Sequence, residues 1–361
     1  LPAEVWATIW PLVAAQSGVV GAWRMIGSSI CKAATEGART MLRALPGLVV
    51  CGGWDDESSS REVWRLELET LAWERLPDLT HARRRHACCV VRGGTLVAIG
   101  GRDAEHTSSA SVEVLERGSG AWRELPPLSC GVCEDLCAVA VKESVSVEGQ
   151  VCILGGNNGS EEDEIHDEAY IVDLATGVCT PIPGLIIPRE EFVSVGLPDG
   201  RIVVAGGVNV DSVIQDTTEV WEPSHKAWRE LERMGTRRFG SCCCLLTDGR
   251  FAVIGGYGFQ GDGFQGYGFQ GDEAEIEALD SCEALVLDNG VERWEPLPPM
   301  LEARFDFACA AVGGCIVVAC GSDGNHTSLS SVEVYEEAAC MWRRLPCDLP
   351  RPASFVGSAL L

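Results

Sequence analysis

Arg201-Ile202-Val203-Val204-Ala205-Gly206-Gly207 decides the fold. A Pro198-Asp199-Gly200 turn signal precedes this short apolar run and a glycine pair ends it, which is the pattern of a β-strand between two turns. Upstream, Phe192 to Leu197 is a second short run, rich in small residues. Downstream, past a polar loop, Glu219-Val220-Trp221 and Trp228-Arg229-Glu230-Leu231 supply two more. Four short strands joined by turns make one unit.

The unit recurs. Glycine pairs stand at Gly52-Gly53, Gly100-Gly101, Gly155-Gly156, Gly206-Gly207 and Gly255-Gly256, with Cys320-Gly321 in the sixth place. Their spacings are 48, 55, 51, 49 and 65 residues, the last lengthened by an insert in which Gly-Phe-Gln-Gly occurs three times between Gly258 and Gly271. A Trp-bearing strand follows at Trp73, Trp122, Trp228, Trp294 and Trp342; the third unit carries Cys179-Thr180-Pro181 instead. A period near fifty residues with about four strands per unit predicts a propeller, because one such sheet cannot bury both of its faces alone. Ala87-Cys88-Cys89-Val90, Ser194-Val195-Gly196 and Cys242-Cys243-Cys244 provide the small side chains needed on innermost strands near an axis. The first unit has no such strand before Leu48, whereas Phe355 to Leu361 is an inner-type strand with nothing after it. The expectation is an all-β, six-bladed β-propeller over 46–361, closed by the C-terminal strand, with a short helical segment at 1–45.

The repeated pattern of an Arg before the first strand, Gly-Gly after the second, Glu-Val-aromatic in the third and Trp eight residues on resembles the kelch repeat. Residues 1–45 resemble an F-box in Leu1-Pro2, Glu4-Val5, Ile9 and Cys31-Lys32, but lack a Leu-rich middle and place Trp23-Arg24 before Cys31. The F-box resemblance implies that Leu1, Pro2, Val5 and Ile9 dock a Skp-type adaptor of a cullin ubiquitin ligase. The competing reading of this segment is a helical hairpin capping the propeller.

Fifty-three acidic residues against 28 basic ones give a net charge of −25, which argues against nucleic acid or an anionic membrane as the main partner. No apolar run is long enough for a membrane span. The 18 cysteines include neighbours within strands, whose side chains point to opposite faces. They read as small hydrophobes of a reducing compartment, cytoplasmic or nuclear.

No catalytic set is expected, and neither a cofactor nor a metal. Cys130-x2-Cys133-x3-Cys137 is half a metal site, and His81, His86, His106, His166, His225 and His326 read as surface residues. Strand order puts the residues after each glycine pair on one face with those after each leading Arg. The kelch resemblance implies that this face binds a protein or peptide target, with Trp54, Arg84, Arg85, Arg102, Asn157, Asn158, Asn209, Phe239, Tyr257, Phe305, Asp306 and Ser322 as candidates. Arg83, Arg189, Arg237, Arg304 and Arg351 recur at one repeat position and are expected to be structural. Arg84, Arg85 and Arg102 do not recur, and Arg85 with Arg102 is expected to anchor an acidic or phosphorylated segment. The rival from another class is a propeller enzyme, an epimerase or lyase acting on a small molecule, which converging carboxylates in a deep channel would favour.

Overall fold

The computed structural model describes residues 18–24, 26, 32–131, 134–141, 149–159, 164–259, 276–288 and 290–361. Among them are six four-stranded antiparallel sheets. The second comprises β4 (Ala87–Val91), β5 (Thr95–Ile99), β6 (Val112–Leu115) and β7 (Arg123–Leu125), in that order. The third holds β8 (Cys137–Ala140), β9 (Gln150–Leu154), β10 (Ala169–Asp173) and β11 (Val178–Ile182), and the fourth β12 (Val193–Gly196), β13 (Ile202–Ala205), β14 (Thr218–Glu222) and β15 (Ala227–Glu230). The fifth is β17 (Cys242–Leu245), β18 (Phe251–Ile254), β21 (Cys282–Asp288) and β22 (Val291–Leu297), beside a small sheet of β16 (Arg238–Phe239), β19 (Tyr257–Gly258) and β20 (Glu277–Ala278). In the sixth are β23 (Ala308–Val312), β24 (Cys315–Ala319), β25 (Val332–Glu336) and β26 (Met341–Arg344).

The first sheet takes strands from both ends of the chain. β1 (Leu48–Cys51), β2 (Val63–Glu67) and β3 (Ala72–Arg75) are completed by β27 (Gly357–Leu360), which pairs antiparallel with β1 from Leu48↔Leu360 to Cys51↔Gly357. Inner strands touch in cyclic order: β4 meets β8, β8 meets β12, β12 meets β17, β17 meets β23, β23 meets β27, and β27 meets β4.

Two repeated interactions join neighbouring sheets. Outer-strand indoles donate their N–H to a carbonyl of the preceding sheet: Trp122 to Pro77 (2.8 Å), Trp228 to Pro183 (2.8 Å), Trp294 to Glu232 (2.9 Å), Trp342 to Pro298 (2.9 Å) and Trp73 to Cys347 (3.0 Å). The apolar ring fills the gap and its single polar atom is satisfied. The second is a buried ion pair between the leading Arg and the Glu of the third strand: Arg83–Glu113, Arg189–Glu219 (2.6 Å), Arg238–Glu283 (2.9 Å) and Arg304–Glu333 (2.8 Å). Each Glu also accepts backbone N–H groups of the connection entering from the preceding sheet, as Glu219 does from Ile186 (2.7 Å) and Ile187 (3.1 Å).

This register corrects the expectation for two arginines. Arg238, not Arg237, fills the buried slot of the fifth sheet, while Arg237 lies near Asp216 and is partly exposed. Arg351 falls two residues short of the slot, which Ala353 occupies, and pairs, itself partly exposed, with Asp55. The third-strand residues aligned with the Glu positions are Trp64 in the first sheet and Tyr170 in the third. A first sheet without the Arg thus has no Glu either, as expected if a lone buried charge is the costly state.

Helical residues 18–24 and α1 (Lys32–Ala44) lie against the first and sixth sheets. Val19, Val20, Ala22, Ala38 and Leu42 share one apolar cluster with Leu48, Leu66, Ala308 and Val312. Trp23 donates its indole N–H to the Leu68 carbonyl (2.6 Å), and Arg24 pairs with Glu336 (3.0 Å). The described part of this segment therefore packs as a cap. Leu1, Pro2, Val5 and Ile9 lie outside the described residues, as does the centre of the Gly-Phe-Gln insert. Among the described residues, no helix is long and apolar enough to cross a membrane.

Candidate functional site

The candidate face is built at the ends of the second strands. Gly207 has φ +92°, and a Cβ there would lie 2.5 Å from the Glu190 carbonyl oxygen, so only glycine lets the two backbones approach. The next residue then bridges the segment entering an inner strand. Trp54 bridges Ser354, Arg102 bridges Arg84, Asn157 bridges Glu134, Val208 bridges Glu190, Tyr257 pairs with Phe239, and Ser322 bridges Phe305. The two rows expected to share a face do so. Asn209 is the exception: Val208 occupies its row, and the Asn209 side chain accepts N–H groups of Asp211 (3.1 Å) and Val213 (2.9 Å), shaping its own turn. Asn158 likewise bonds within its loop, to Glu164 (3.3 Å).

The face has two chemically different halves. On the fifth and sixth sheets, Tyr257 contacts Phe239, Phe305 and His326 with ring centroids 5.7, 4.8 and 5.4 Å away. Opposite them, Trp54, Arg84, Arg85, Arg102, Glu134, Asp135, Asn157, Glu190 and Phe355 line a pocket of about 330 Å³. Arg84 stacks its guanidinium 4.4 Å over the Trp54 ring and contacts His106 Nδ1 at 2.8 Å, which requires the other ring nitrogen to carry the proton of a neutral imidazole. Arg102 pairs with the buried Glu134 carboxylate at 2.6 Å. Arg85 binds both Asp135 and Glu191, each at 2.7 Å, and lies 4.7 Å over Phe355.

The three arginines therefore come together, but not as the free basic cluster that the sequence suggests. Arg85 and Arg102 are neutralised by carboxylates from other sheets. Arg84 alone of the three has no ion-pair partner among the described residues. Burial, with Arg85 and Arg102 nearby, holds its pKa below the ordinary guanidinium value.

The model of the KLHDC2/KLHL20/DRC7 Kelch-repeats domain matches residues 40–256, and the Kelch motif matches 303–347. The chain belongs to the kelch-repeat family. An F-box/kelch-repeat protein of Arabidopsis thaliana is 29% identical over 217 residues, covering 59% of this chain and 56% of that protein. Kelch-like protein 36 of Rattus norvegicus is 23% identical over 344 residues, covering 92% of this chain and 52% of its own length. The chain thus spans about half the length of these curated relatives. The solved structure of YjhT superposes with a TM-score of 0.66 at 12% identity, covering 84% of this chain and 98% of that one, a likeness of fold.

In this kelch-repeat β-propeller the face narrows to an axial mouth. One residue per sheet adopts the left-handed conformation just before the inner strand: Arg85, Asp135, Glu191, Gly240, Asp306 and Phe355, with φ between 50° and 57°. This turns backbone N–H groups toward the preceding sheet, and Asp135 N–H donates to Arg85 O (3.1 Å), Gly240 to Glu191 O (2.9 Å), Asp306 to Gly240 O (2.7 Å) and Arg85 to Phe355 O (3.1 Å). Left-handed non-glycine residues cost roughly 1–3 kcal/mol each, so the bridging bonds must offset strain. Only Gly240 signals this conformation in the sequence.

Asp135, Glu191 and Asp306 converge here around the single Arg85. Burial pushes Glu191 up from 4.5 to about 7 against the pull of Arg85, and burial with Glu191 beside it pushes Asp306 up as well. Glu191 binds its proton more tightly folded than unfolded, so its contribution to stability is full below its unfolded value and is lost as pH rises through about 7. The melting midpoint is expected to fall between about pH 5 and about pH 8, and Glu191→Gln is expected to flatten that slope. Identical slopes in both proteins contradict the assignment.

Two further sequence features have their own outcomes. Cys137 donates to the Phe192 carbonyl (3.1 Å), and Cys133 lies outside the described residues, so the half metal spacing stays a sequence pattern. His86 is not a surface residue; it is 6% exposed, between the first two sheets.

Proposed function

We propose that the six sheets are the blades of a propeller closed by β27, and that its loop-bearing face captures an acidic segment of a partner protein. The cyclic contacts of the inner strands and the pairing of β27 with β1 support closure. The observation that carries the binding reading is Arg84. Only 8% exposed and held by Trp54, Ser59 and His106, it lines a pocket where the neighbouring arginines already hold carboxylates, so an incoming carboxylate or phosphate finds one cation with no ion-pair partner among the described residues. The aromatic half around Tyr257 offers the apolar contact that an extended segment needs at its other end.

Capture of partners from lysate, quantified by mass spectrometry for the unaltered chain and Arg84→Gln, tests this reading. A charge-assisted contact contributes about 1.5–3 kcal/mol, so recovery of acidic partners, compared well below both melting midpoints, is expected to fall about tenfold or more, while the midpoint drops modestly because the contacts to Trp54, Ser59 and His106 are lost. Undiminished recovery overturns Arg84 as anchor and moves the site to Tyr257 and Phe239.

The wider reading is a substrate-recognition subunit of an F-box-type ubiquitin ligase, which acts by raising the concentration of a target near a ubiquitin-charged enzyme. Its support is the F-box/kelch-repeat relative together with Leu1-Pro2, Val5 and Ile9. Replacing Val5 and Ile9 by Asp is expected to abolish co-purification of a Skp-type adaptor and to leave partner capture on the face intact. Retained adaptor, or none with the unaltered chain, defeats it.

One observation favours a second reading. Asp135, Glu191 and Asp306 converge at the axial mouth, and a carboxyl titrating near 7 suits proton transfer in an epimerase or lyase. Under that reading Glu191→Gln abolishes turnover of a small molecule; under the binding reading it leaves partner capture intact.

A further inference from the structure

The seam between the first and second blades differs from the other five. Cys51 ends β1, and its equivalents at the ends of the other second strands are Ile99, Leu154, Ala205, Ile254 and Ala319. His86 precedes β4, where the other blades place Leu136, Phe192, Ser241, Phe307 and Val356 before the inner strand. Cys88 lies two residues beyond His86 on the same side of the chain. One nitrogen and two sulfur ligand atoms thus meet at a position that is mainly apolar elsewhere, all within 4.8 Å of one another.

The imidazole is the second, independent observation. His86 is 6% exposed, and neither Nδ1 nor Nε2 has a hydrogen-bond partner. A buried neutral imidazole carries one donor and one acceptor, and leaving both unmatched is a cost that native structures rarely retain without a use. The backbone is shaped around the ring. A Cβ at Gly357 would lie 2.4 Å from Cys88 Sγ and 2.6 Å from His86 Nε2, and one at Gly52 would lie 2.9 Å from His86 Cε1. Glycine at both places leaves the cluster its room.

We propose that Cys51, His86 and Cys88 bind a zinc ion. Two thiolates and an imidazole are a soft-to-borderline donor set suited to a tetrahedral d10 cation, with the fourth position left to water. Zinc–sulfur and zinc–nitrogen bonds of about 2.3 and 2.0 Å require side-chain movements of about an ångström from the observed spacing. Binding replaces two thiol protons by one Zn2+ and releases both protons to solvent, with no change of oxidation state. Cys51 belongs to the blade that β27 completes and His86 and Cys88 to its neighbour, so the ion acts as a clip across the junction where the two ends of the chain meet.

Cobalt(II) is the first probe and zinc the second, added to the whole chain after chelation and thiol reduction. One equivalent of cobalt is expected to give a sulfur-to-metal charge-transfer band and tetrahedral visible bands, both removed by one equivalent of zinc. Cys88→Ser and Cys51→Ser abolish the bands, and Cys340→Ser, at an exposed thiol, retains them. His86→Phe guards against misfolding, because Phe192 and Phe307 hold the equivalent position in other blades. It is expected to unfold cooperatively, bind no cobalt and lose the zinc-dependent rise in melting midpoint. Absence of stoichiometric binding by the unaltered chain, or binding that survives His86→Phe and Cys88→Ser, overturns the site. Partner capture on the loop face does not depend on either outcome.

Discussion

A chain ended at Arg351 is expected to unfold without a single cooperative transition. That truncation deletes β27 and leaves β1 as an edge. Leu48, Val49, Val50 and Cys51 are each at most 2% exposed, and all four pair with β27. Gly47 and Leu361 exchange backbone bonds of 2.8 and 3.0 Å at the end of the ladder, and the Trp54–Ser354 and Gly321–Ala353 bonds disappear with the same segment. Burial of one such aliphatic side chain contributes about 1.5–3 kcal/mol. Losing cover over several at once approaches the whole stability of a domain, about 5–15 kcal/mol, and exposes a hydrophobic strand edge. The expected readout is a broad, non-coincident loss of near- and far-ultraviolet dichroism, with association of the truncated chain. An unchanged midpoint and a single transition would contradict closure.

Arg189→Ala is expected to cost about 3–5 kcal/mol, the range for breaking a buried ion pair by removing one partner. Both side chains of the Arg189–Glu219 pair are 0% exposed. Beyond Glu219, Arg189 donates to Gly206 O (2.8 Å), Thr217 O (3.2 Å) and Thr217 Oγ1 (3.0 Å), so the truncation strands an uncompensated carboxylate and three acceptors together. The third blade indicates the remedy, since Tyr170 stands at the Glu position and Cys133 at the Arg position of its sequence. The double substitution Arg189→Cys with Glu219→Tyr is expected to recover much of the loss. Urea midpoints of the single and double variants decide it. A single-variant loss below about 1 kcal/mol, the level of an exposed pair, contradicts the structural role.

Much of this architecture is legible in the sequence because it is local. Gly206-Gly207, Trp228 and the strand between them lie within one repeat, and repetition averages away the ambiguity of any single strand. The orphan run at Phe355 to Leu361 points to its partner at Leu48 because an unfilled inner position needs filling. The site is less legible because its electrostatics are made between repeats. Glu134 neutralises Arg102 and Glu191 neutralises Arg85 across blades, so three arginines read as a basic cluster when only Arg84 lacks an ion-pair partner among the described residues. Register decides the rest. Arg237 and Arg238 are adjacent and chemically identical, and only the distance to the inner strand selects the one that is buried. Cys51 and His86 carry no metal-binding spacing, since the seam that joins them runs between two repeats.

Native-state hydrogen exchange of the β27 amides tests the central claim, a propeller closed by its own C-terminus, most directly. Gly357 and Ala359, whose amides face β1 in the ladder, are expected to exchange only through global opening, with the same denaturant dependence as Val203 and Val253 in the second strands of other blades. Exchange of β27 at the rate of a frayed terminus, while β13 and β18 stay protected, would contradict it.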